Sequence, residues 1–499
     1  MRRLTSTSST ALAALLAALV LLTLLGHKPL TDWDEGIYAE VSREMLLSGW
    51  LIPHWNLQPW FEKPPLELWI TAAFFKLFGI SEFTARATSA LSGVAIVALL
   101  HGWLARKRDL LAAWLCTVIL LATFGFLHVC RVGETDVLLS LGCVIALIGL
   151  SEVDERNPAG WYLFWIGFAV AAMTKGAAAV TLPVTAIAVA CVPTGSRERP
   201  TGNRFGTSFW LGLAIFLLLV LPWHLAMAHL FGQRFLAEYF GLQVLTRATS
   251  QIEGHATHWW YYLKVLLVSA PPFVLIFPFA IAYAFRRNSG LRVFAIFALV
   301  TLSFFTLVET RLPHYIAPAY PALAVLTAAY AADKLKRFLT PARPASFWIK
   351  LTLATAAVWI AAVMLTGPAR RGLHSATLAD GATPAGNKDS IALLRDAFRN
   401  PQPIPGPLLL WRNGRITSIA TDVFYSRRQV QQVLLGPVPP NVPIDRYTFN
   451  PDPLSEAVAS QPRLILLDKS LVPEIPPDFL YTPIESDKSV ELGAIVRKQ

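Results

Sequence analysis

The chain has 499 residues, 54% of them hydrophobic and 15% charged, with a net charge of +11. Soluble globular domains carry about 25% charged residues, so the composition excludes a soluble chain and indicates a membrane protein. The positive charge lies in short clusters between apolar runs, where it sets membrane topology, and gives no reason to expect nucleic acid as a partner. Cys116, Cys143 and Cys191 lie within apolar runs and Cys130 at the end of one, which argues against a disulfide framework and for buried small hydrophobes.

In chain order, Arg2 and Arg3 precede the apolar run ALAALLAALVLLTLL. That start fits a signal peptide, but no small-x-small cleavage site follows, and many apolar runs come later; an uncleaved first helix is the better reading. Taking about 20 apolar residues per crossing, spans are expected near 9–26, 83–104, 110–129, 137–151, 161–174, 177–193, 209–227, 260–284, 293–308, 315–332 and 347–366. The run 66–78 is too short to cross and reads as re-entrant or interfacial. Basic clusters then fall on one side: Arg2 and Arg3; Arg106, Lys107 and Arg108; Arg197, Arg199 and Arg204; Arg286, Arg287 and Arg292; Lys334, Lys336 and Arg337. The positive-inside rule makes that side cytoplasmic. The other side holds 27–82, 130–136, 174–176, 228–259, 309–314 and the tail from about 367. Most of the acidic, histidine and lysine residues of chemical interest collect there, so a site at the outer membrane–water interface is expected.

The first external loop is the most informative stretch. In TDWDEGIYAEVSREMLLS (31–48), Trp33, Ile37, Val41 and Met45 form one apolar stripe, with Glu40, Arg43 and Glu44 opposite. This predicts an amphipathic helix lying in the interface, capped by Thr31 or Asp32. Asp34 and Glu35 fall in its first turn, where acids also merely complement a helix dipole. In FEKPP, Glu62 and Lys63 precede two prolines that fix the local backbone. Lys63 can bind a phosphate as a point charge, or the two residues can form an ordinary surface ion pair. Lys175, in MTKG, reads as a lysine snorkelling to the outer surface.

After 366 the composition turns rich in Pro and Gly. PLLLW (407–411), ITSIA (416–420) and RLILLD (463–468) read as strands and DSIALLRDAF (389–398) as a helix, which predicts a small external α/β domain over 367–499. It carries no motif with evident chemistry. Domain 1–366 is read as the membrane unit, with 27–82 as its first external loop.

Taken together, DWDEGIYAEVSREMLLSGWLIPHWN, FEKPPL, GISEFTAR, GETDVLLS (133–140), MTKG (173–176) and RLPHYIAPAYPALA (311–324) resemble, in order and spacing, the protein O-mannosyltransferase superfamily. Bacterial members of that superfamily include the aminoarabinose transferase that modifies lipid A. The resemblance covers most of residues 1–335. It implies a mainly α fold: a polytopic GT-C helix bundle of about 11–13 spans, with the α/β domain appended. It also implies a glycosyltransferase of the inner membrane that moves a sugar from a polyprenyl-phosphate carrier to an acceptor on the periplasmic side, with inversion at the anomeric carbon. Lipid A or another envelope glycan or glycolipid is favoured over protein Ser/Thr as acceptor. By the same resemblance Asp34 and Asp136 are catalytic acids, with Glu35 as a helper. Lys63 matches a lysine that contacts the carrier phosphate, and Arg311, His314 and Tyr315 match the segment that lines the carrier site. On chemical grounds Lys63 and Arg311, with Arg86 or Arg131 as helpers, can neutralise that phosphate. Glu62 matches a zinc-binding position, and His255 and His258 lie in the matching loop. The sequence alone fixes no cofactor: a Zn2+ or other divalent ion on these three residues stands against two interfacial histidines in an aromatic belt beside Trp259 and Trp260.

Two other classes compete. A transporter or flippase for a lipid-linked sugar would line a path with charge at mid-span, yet charge concentrates at one face. A non-catalytic scaffold would not need Asp34 or Lys63.

Overall fold

The computed structural model describes residues 6–31, 33–153, 158–191, 206–246, 249, 258–287, 289–338, 354, 386–399, 402–412, 419–434, 452–458 and 461–498. The chain forms two units, Met1–Leu25 with Phe61–Ile70 and Arg86–Asp380, and Gly26–Trp60 with Thr71–Ala85 and Gly381–Gln499. The first is helical and the second is built around a sheet.

The apolar runs fold as helices because hydrocarbon offers the backbone no partner but itself. They are α1 (Ser6–Leu22), α2 (Asp34–Ser48, in the sheet unit), α3 (Leu66–Phe78), α4 (Glu82–Lys107), α5 (Leu110–Ala122), α6 (Phe124–Val129), α7 (Asp136–Glu152), α8 (Gly160–Ala179), α9 (Thr181–Cys191) and α10 (Thr207–Phe231). Helices Tyr261–Ser269, Phe277–Arg287, Ser289–Leu307 and Ala319–Phe338 follow. Among the described residues, Glu82–Lys107, Gly160–Ala179, Thr207–Phe231 and Gly290–Leu307 are long and apolar enough to cross a membrane, and α1, α5 and α9 are shorter apolar helices. The protein is a multi-pass membrane protein. Two expected spans are interrupted. Thr123 is extended and parts α5 from α6. Pro271 and Pro272 part Tyr261–Ser269 from Phe277–Arg287, since proline removes a helix donor and clashes with the preceding turn. The span expected at 347–366 lies outside the described residues apart from 354.

The closest pairing in the helical unit is the α7–α8 hairpin. A Cβ on Gly142 would stand 2.7 Å from Ala171 N, and one on Gly167 only 2.4 Å from Ala146 N. Gly149 and Gly160 meet in the same way, each blocked by the other's carbonyl at 2.6 and 2.5 Å. Such small-residue contacts let two membrane helices touch backbone to backbone. On the far side of α8, Phe168 stacks on Phe216 of α10 at 4.5 Å and Trp161 meets Phe209 edge-on at 4.8 Å.

At one end of this unit the charged residues pair with each other: Lys107 with Glu152, Arg108 with Asp333 at 2.8 Å, and Lys336 with Asp109 at 2.6 Å. Lys107, Arg108 and Lys336 are among the basic residues that the positive-inside rule assigns to the cytoplasm. Glu152 ends α7 and Asp136 begins it, so Asp136 lies about 24 Å along the helix from that charged end.

In the sheet unit, six strands run in the order β5 (Asp452–Pro453), β4 (Val430–Leu434), β3 (Leu408–Trp411), β6 (Arg463–Asp468), β8 (Val490–Arg497), β7 (Phe479–Ser486). The two-residue strands β1 (His54–Trp55) and β2 (Gln58–Pro59) form a separate hairpin. β5, β4, β3 and β6 are parallel, and β8 and β7 add an antiparallel edge. β3 is buried throughout, as LLLW requires of an inner parallel strand. Leu409, Ile465, Leu467, Val433 and Ile495 form its core. The predicted strands near 407–411 and 463–468 and the helix near 389–398 (observed Gly386–Ala397) are present. The strand expected at 416–420 is corrected at its end: Ala420 opens a helix, Ala420–Ser426, while 413–418 lie outside the described residues.

Candidate functional site

Asp136 is the first residue of α7 and is 2% exposed. A buried carboxylate needs a counter-charge, and Lys175 supplies it: Nζ donates to Asp136 Oδ1 at 2.8 Å. Lys175 does not snorkel to the surface, as its place near a helix end had indicated. Its side chain is 14% exposed, and its ammonium stands 4.6 Å from the centroid of the Tyr315 ring, a cation–π contact. The backbone at Lys175 leaves helical geometry (φ −151°, ψ 75°), so α8 is broken at this residue. Broken helices at membrane depth occur where backbone is buried in protein or lines a cavity.

Two more groups join the cluster. Glu134 Oε2 lies 3.9 Å from His314 Nδ1, and ligand-capable atoms of Glu134, Asp136 and His314 all lie within 4.8 Å of one another. Two carboxylates and an imidazole suit a divalent cation, but Lys175 already provides a positive charge at Asp136. The segment carrying His314 and Tyr315 is fixed from both sides. Tyr262 Oη donates to Leu312 O at 3.2 Å, and Arg311, 8% exposed, donates to Thr306 O through Nε at 3.2 Å and a terminal nitrogen at 2.8 Å. The structure therefore brings together Asp136, Tyr315 and the loop of Arg311, along with Lys175, Glu134 and His314.

Arg86 and Arg131 serve α1. Arg86 donates to Leu25 O at 3.0 Å, and Arg131 to the carbonyls of Val20, Leu21 and Thr23 at 3.0, 2.9 and 2.8 Å. These bonds satisfy the orphan carbonyls at a helix C-terminus. Lys63 and Glu62 are half-buried, in a segment held by Phe61, which is fully buried and packs on Phe231 at 4.7 Å and Phe235 at 5.6 Å. Of the histidines expected at a metal with Glu62, His258 is exposed and stacked on Trp260 at 5.3 Å, as an aromatic belt would have it, and His255 lies outside the described residues.

In the sheet unit, Asp34 opens α2 and is half-buried. The residue before it, Trp33, has φ 65° and offers no side-chain cap. Thr31 does not cap the helix as expected: its N–H and hydroxyl donate to Glu35 Oε2 at 2.6 and 3.0 Å, and it accepts no helix N–H. Asp32, the other expected cap, lies outside the described residues. α2 is helical as predicted, but its polar face is not in solvent: every residue from Glu35 to Met45 is buried. Charge is satisfied internally. Arg43 clamps Glu40 with two bonds of 2.8 and 2.7 Å, and Glu44 accepts from Leu57 N–H at 3.0 and 3.1 Å. Burial, reinforced by the Glu40 carboxylate, pushes the Glu44 carboxyl up to about 8.

Comparisons with known proteins agree with this architecture. The family of dolichyl-phosphate-mannose-protein mannosyltransferases matches residues 62–225. An undecaprenyl phosphate-alpha-4-amino-4-deoxy-L-arabinose arabinosyl transferase from Erwinia tasmaniensis is 33% identical over 331 residues, covering 64% of this chain and 58% of that protein. A protein of the same description from Aeromonas salmonicida is 29% identical over 358 residues, covering 69% and 64%. The match thus spans about three-fifths of these relatives' length. Among solved structures, ArnT from Cupriavidus metallidurans bound to undecaprenyl phosphate superposes with a TM-score of 0.71 at 21% identity, covering 98% of both chains. In sequence over much of its length and in fold over nearly all of it, the chain is similar to the aminoarabinose transferases and has the GT-C membrane-transferase fold.

Proposed function

We propose that the protein is a polyprenyl-phosphate-dependent glycosyltransferase that moves a sugar, aminoarabinose being the first to test, from an undecaprenyl-phosphate carrier to lipid A or another envelope glycolipid or glycan. The site and the sheet unit face the periplasm. The observation that carries this reading is the ion pair of buried Asp136 with half-buried Lys175, whose ammonium lies over the Tyr315 ring. An ionisable pair buried beside a broken membrane helix marks a polar substrate pathway, and it lies at the end of α7 opposite the cytoplasmic basic residues.

The chemistry follows from the donor. Asp34 takes the proton from an acceptor hydroxyl. The freed oxygen attacks the anomeric carbon as the carbon–oxygen bond to phosphate breaks, and the electron pair leaves on the phosphate of the carrier. Lys63 and Arg311 offset the charge that gathers on that leaving phosphate. Attack opposite the leaving group inverts the anomeric centre. Asp136, held by Lys175, fixes the donor sugar, and Glu35 assists by ordering the turn before Asp34. The donor set at Glu134, Asp136 and His314 would accept a divalent ion, and no step depends on one.

The test is release of undecaprenyl phosphate by the purified protein from a panel of undecaprenyl-phosphate sugars, with lipid A present. Asp34→Asn is expected to lower release by at least about 100-fold, a typical range for losing a general base. Movement of carrier-linked sugar across a vesicle membrane with no release from any donor would instead establish a transporter.

A further inference from the structure

The stretch that carries Asp34 is sequence-local to the N-terminal region, yet its contacts are with residues nearly 400 positions later. Four observations place it against the C-terminal sheet domain. The backbone N–H of Leu30 donates to Tyr425 Oη at 2.8 Å, a buried bond. The same hydroxyl donates to Glu82 Oε1 at 3.3 Å, and Arg395 reaches that carboxylate at 3.5 Å. Gly36 sits on helix Ala420–Ser426: a Cβ there would lie 3.1 Å from Ala420 Cβ and 3.3 Å from Thr421 N. Asn56 pairs with the first residue of β4 as a strand would, accepting from Val430 N–H at 2.9 Å and donating to Val430 O at 3.0 Å.

The backbone shows why such anchoring is needed. Trp33, directly before Asp34, has φ 65°, and Asn56 and Leu57 have φ 53° and 62°. Side-chain-bearing residues are strained in this region and persist only where surrounding structure over-determines them. Tyr425 pins residue 30 on one side of Trp33, and the Gly36–Ala420 contact pins the other. Asp34 lies between these two fixed points, at the mouth of a helix whose own cap residue makes no side-chain cap.

We propose that helix Ala420–Ser426 of the C-terminal domain is the positioning element for Asp34, with Tyr425 and Ala420 as its positioning residues and Gly36 as the seat on which they act. The domain is then part of the catalytic apparatus, since it holds the general base in place. This rests on the assignment of Asp34 as base made above.

The test uses the full-length protein in detergent, with undecaprenyl-phosphate-aminoarabinose and lipid A as substrates and undecaprenyl phosphate as binding probe. Tyr425→Phe keeps the ring and removes the hydroxyl; Gly36→Val drives a wedge against Ala420. Misplacement of a catalytic group by about 1 Å costs up to about 100-fold. Tyr425→Phe is expected to lower kcat about tenfold and Gly36→Val about 100-fold, with the Kd for undecaprenyl phosphate unchanged; Tyr425→Phe also leaves the buried Leu30 N–H without its acceptor and lowers the unfolding midpoint. On the Asp34→Asn background, Tyr425→Phe is expected to have no further effect on the residual rate, because a residue acting through a carboxylate has nothing to act on once it is gone. Full kcat in both single variants overturns the proposal. So does a loss in Tyr425→Phe matched by weaker carrier binding, or one that multiplies with Asp34→Asn. If Asp34→Asn itself retains full turnover, the base assignment fails instead, which the parallel assay shows directly.

Discussion

Removing Lys175 tests the heart of the membrane site. Its ammonium lies 2.8 Å from Asp136 Oδ1, with the two side chains 14% and 3% exposed. At an effective dielectric of about 20 the gross attraction is roughly 6 kcal/mol, largely offset by the desolvation of both ions. Lys175→Met keeps the apolar stem and leaves Asp136 buried without its ammonium, with Glu134 and His314 nearby. Stripping one partner from a buried pair costs about 3–5 kcal/mol. Asp136→Asn should cost less, because it also relieves Asp136 of its carboxylate neighbour. The double variant removes both charges and should recover to within about 2 kcal/mol of the parent. Equilibrium unfolding in mixed detergent micelles measures all four proteins. Losses for the two single variants that add within about 0.5 kcal/mol in the double, the behaviour of independent sites, would refute the coupling and with it the role given to Lys175.

Two further outcomes follow from other parts of the molecule. Because the Glu44 carboxyl holds its proton up to about 8, the folded state binds a proton the unfolded chain has already released at neutral pH. Stability should therefore fall as pH rises from about 5 towards 8, by up to about 1.4 kcal/mol per unit, and level off above. Glu44→Gln should flatten that decline, as thermal unfolding between pH 6 and 9 will show; an unchanged slope refutes the assignment. In the hairpin, Gly167→Val should abolish folded yield, since even a Cβ would stand 2.4 Å from Ala146 N. Recovery of a monodisperse peak at parental yield on size-exclusion chromatography would show that α7 and α8 separate more easily than their contact implies.

The helices were legible because each apolar run repeats one physical signal many times. Residues 34–48 read as a helix from the spacing of Ile37, Val41 and Met45. Its environment did not, because an amphipathic pattern marks a polar face without saying whether water or protein covers it. Glu40 and Arg43 at i,i+3 can satisfy each other inside as readily as they face solvent. Asp136 was visible through family resemblance, but its partner was not. The signal was present in Gly142 and Gly149, and Gly160 and Gly167, two glycine pairs each seven residues apart. Folding those stripes together brings 136 opposite 175. The contacts of Leu30 with Tyr425 and of Asn56 with Val430 join positions 395 and 374 residues apart. No local pattern encodes a pairing at that range, and short runs such as ITSIA carry helix and strand signals of similar strength.

The glycine-lined crossing of α7 and α8 also bears on how the protein tolerates its surroundings. Bilayers differ in thickness, and membrane helices answer by tilting. Helices separated by long side chains can tilt by different amounts, because rotamers absorb the difference. Here main chain rests on main chain, at Gly142 with Ala171 and at Gly149 with Gly160, so no rotamer remains to adjust. The hairpin leans as one rigid body, and the distance between its open ends, where an acid faces a base, stays constant as lipid composition shifts.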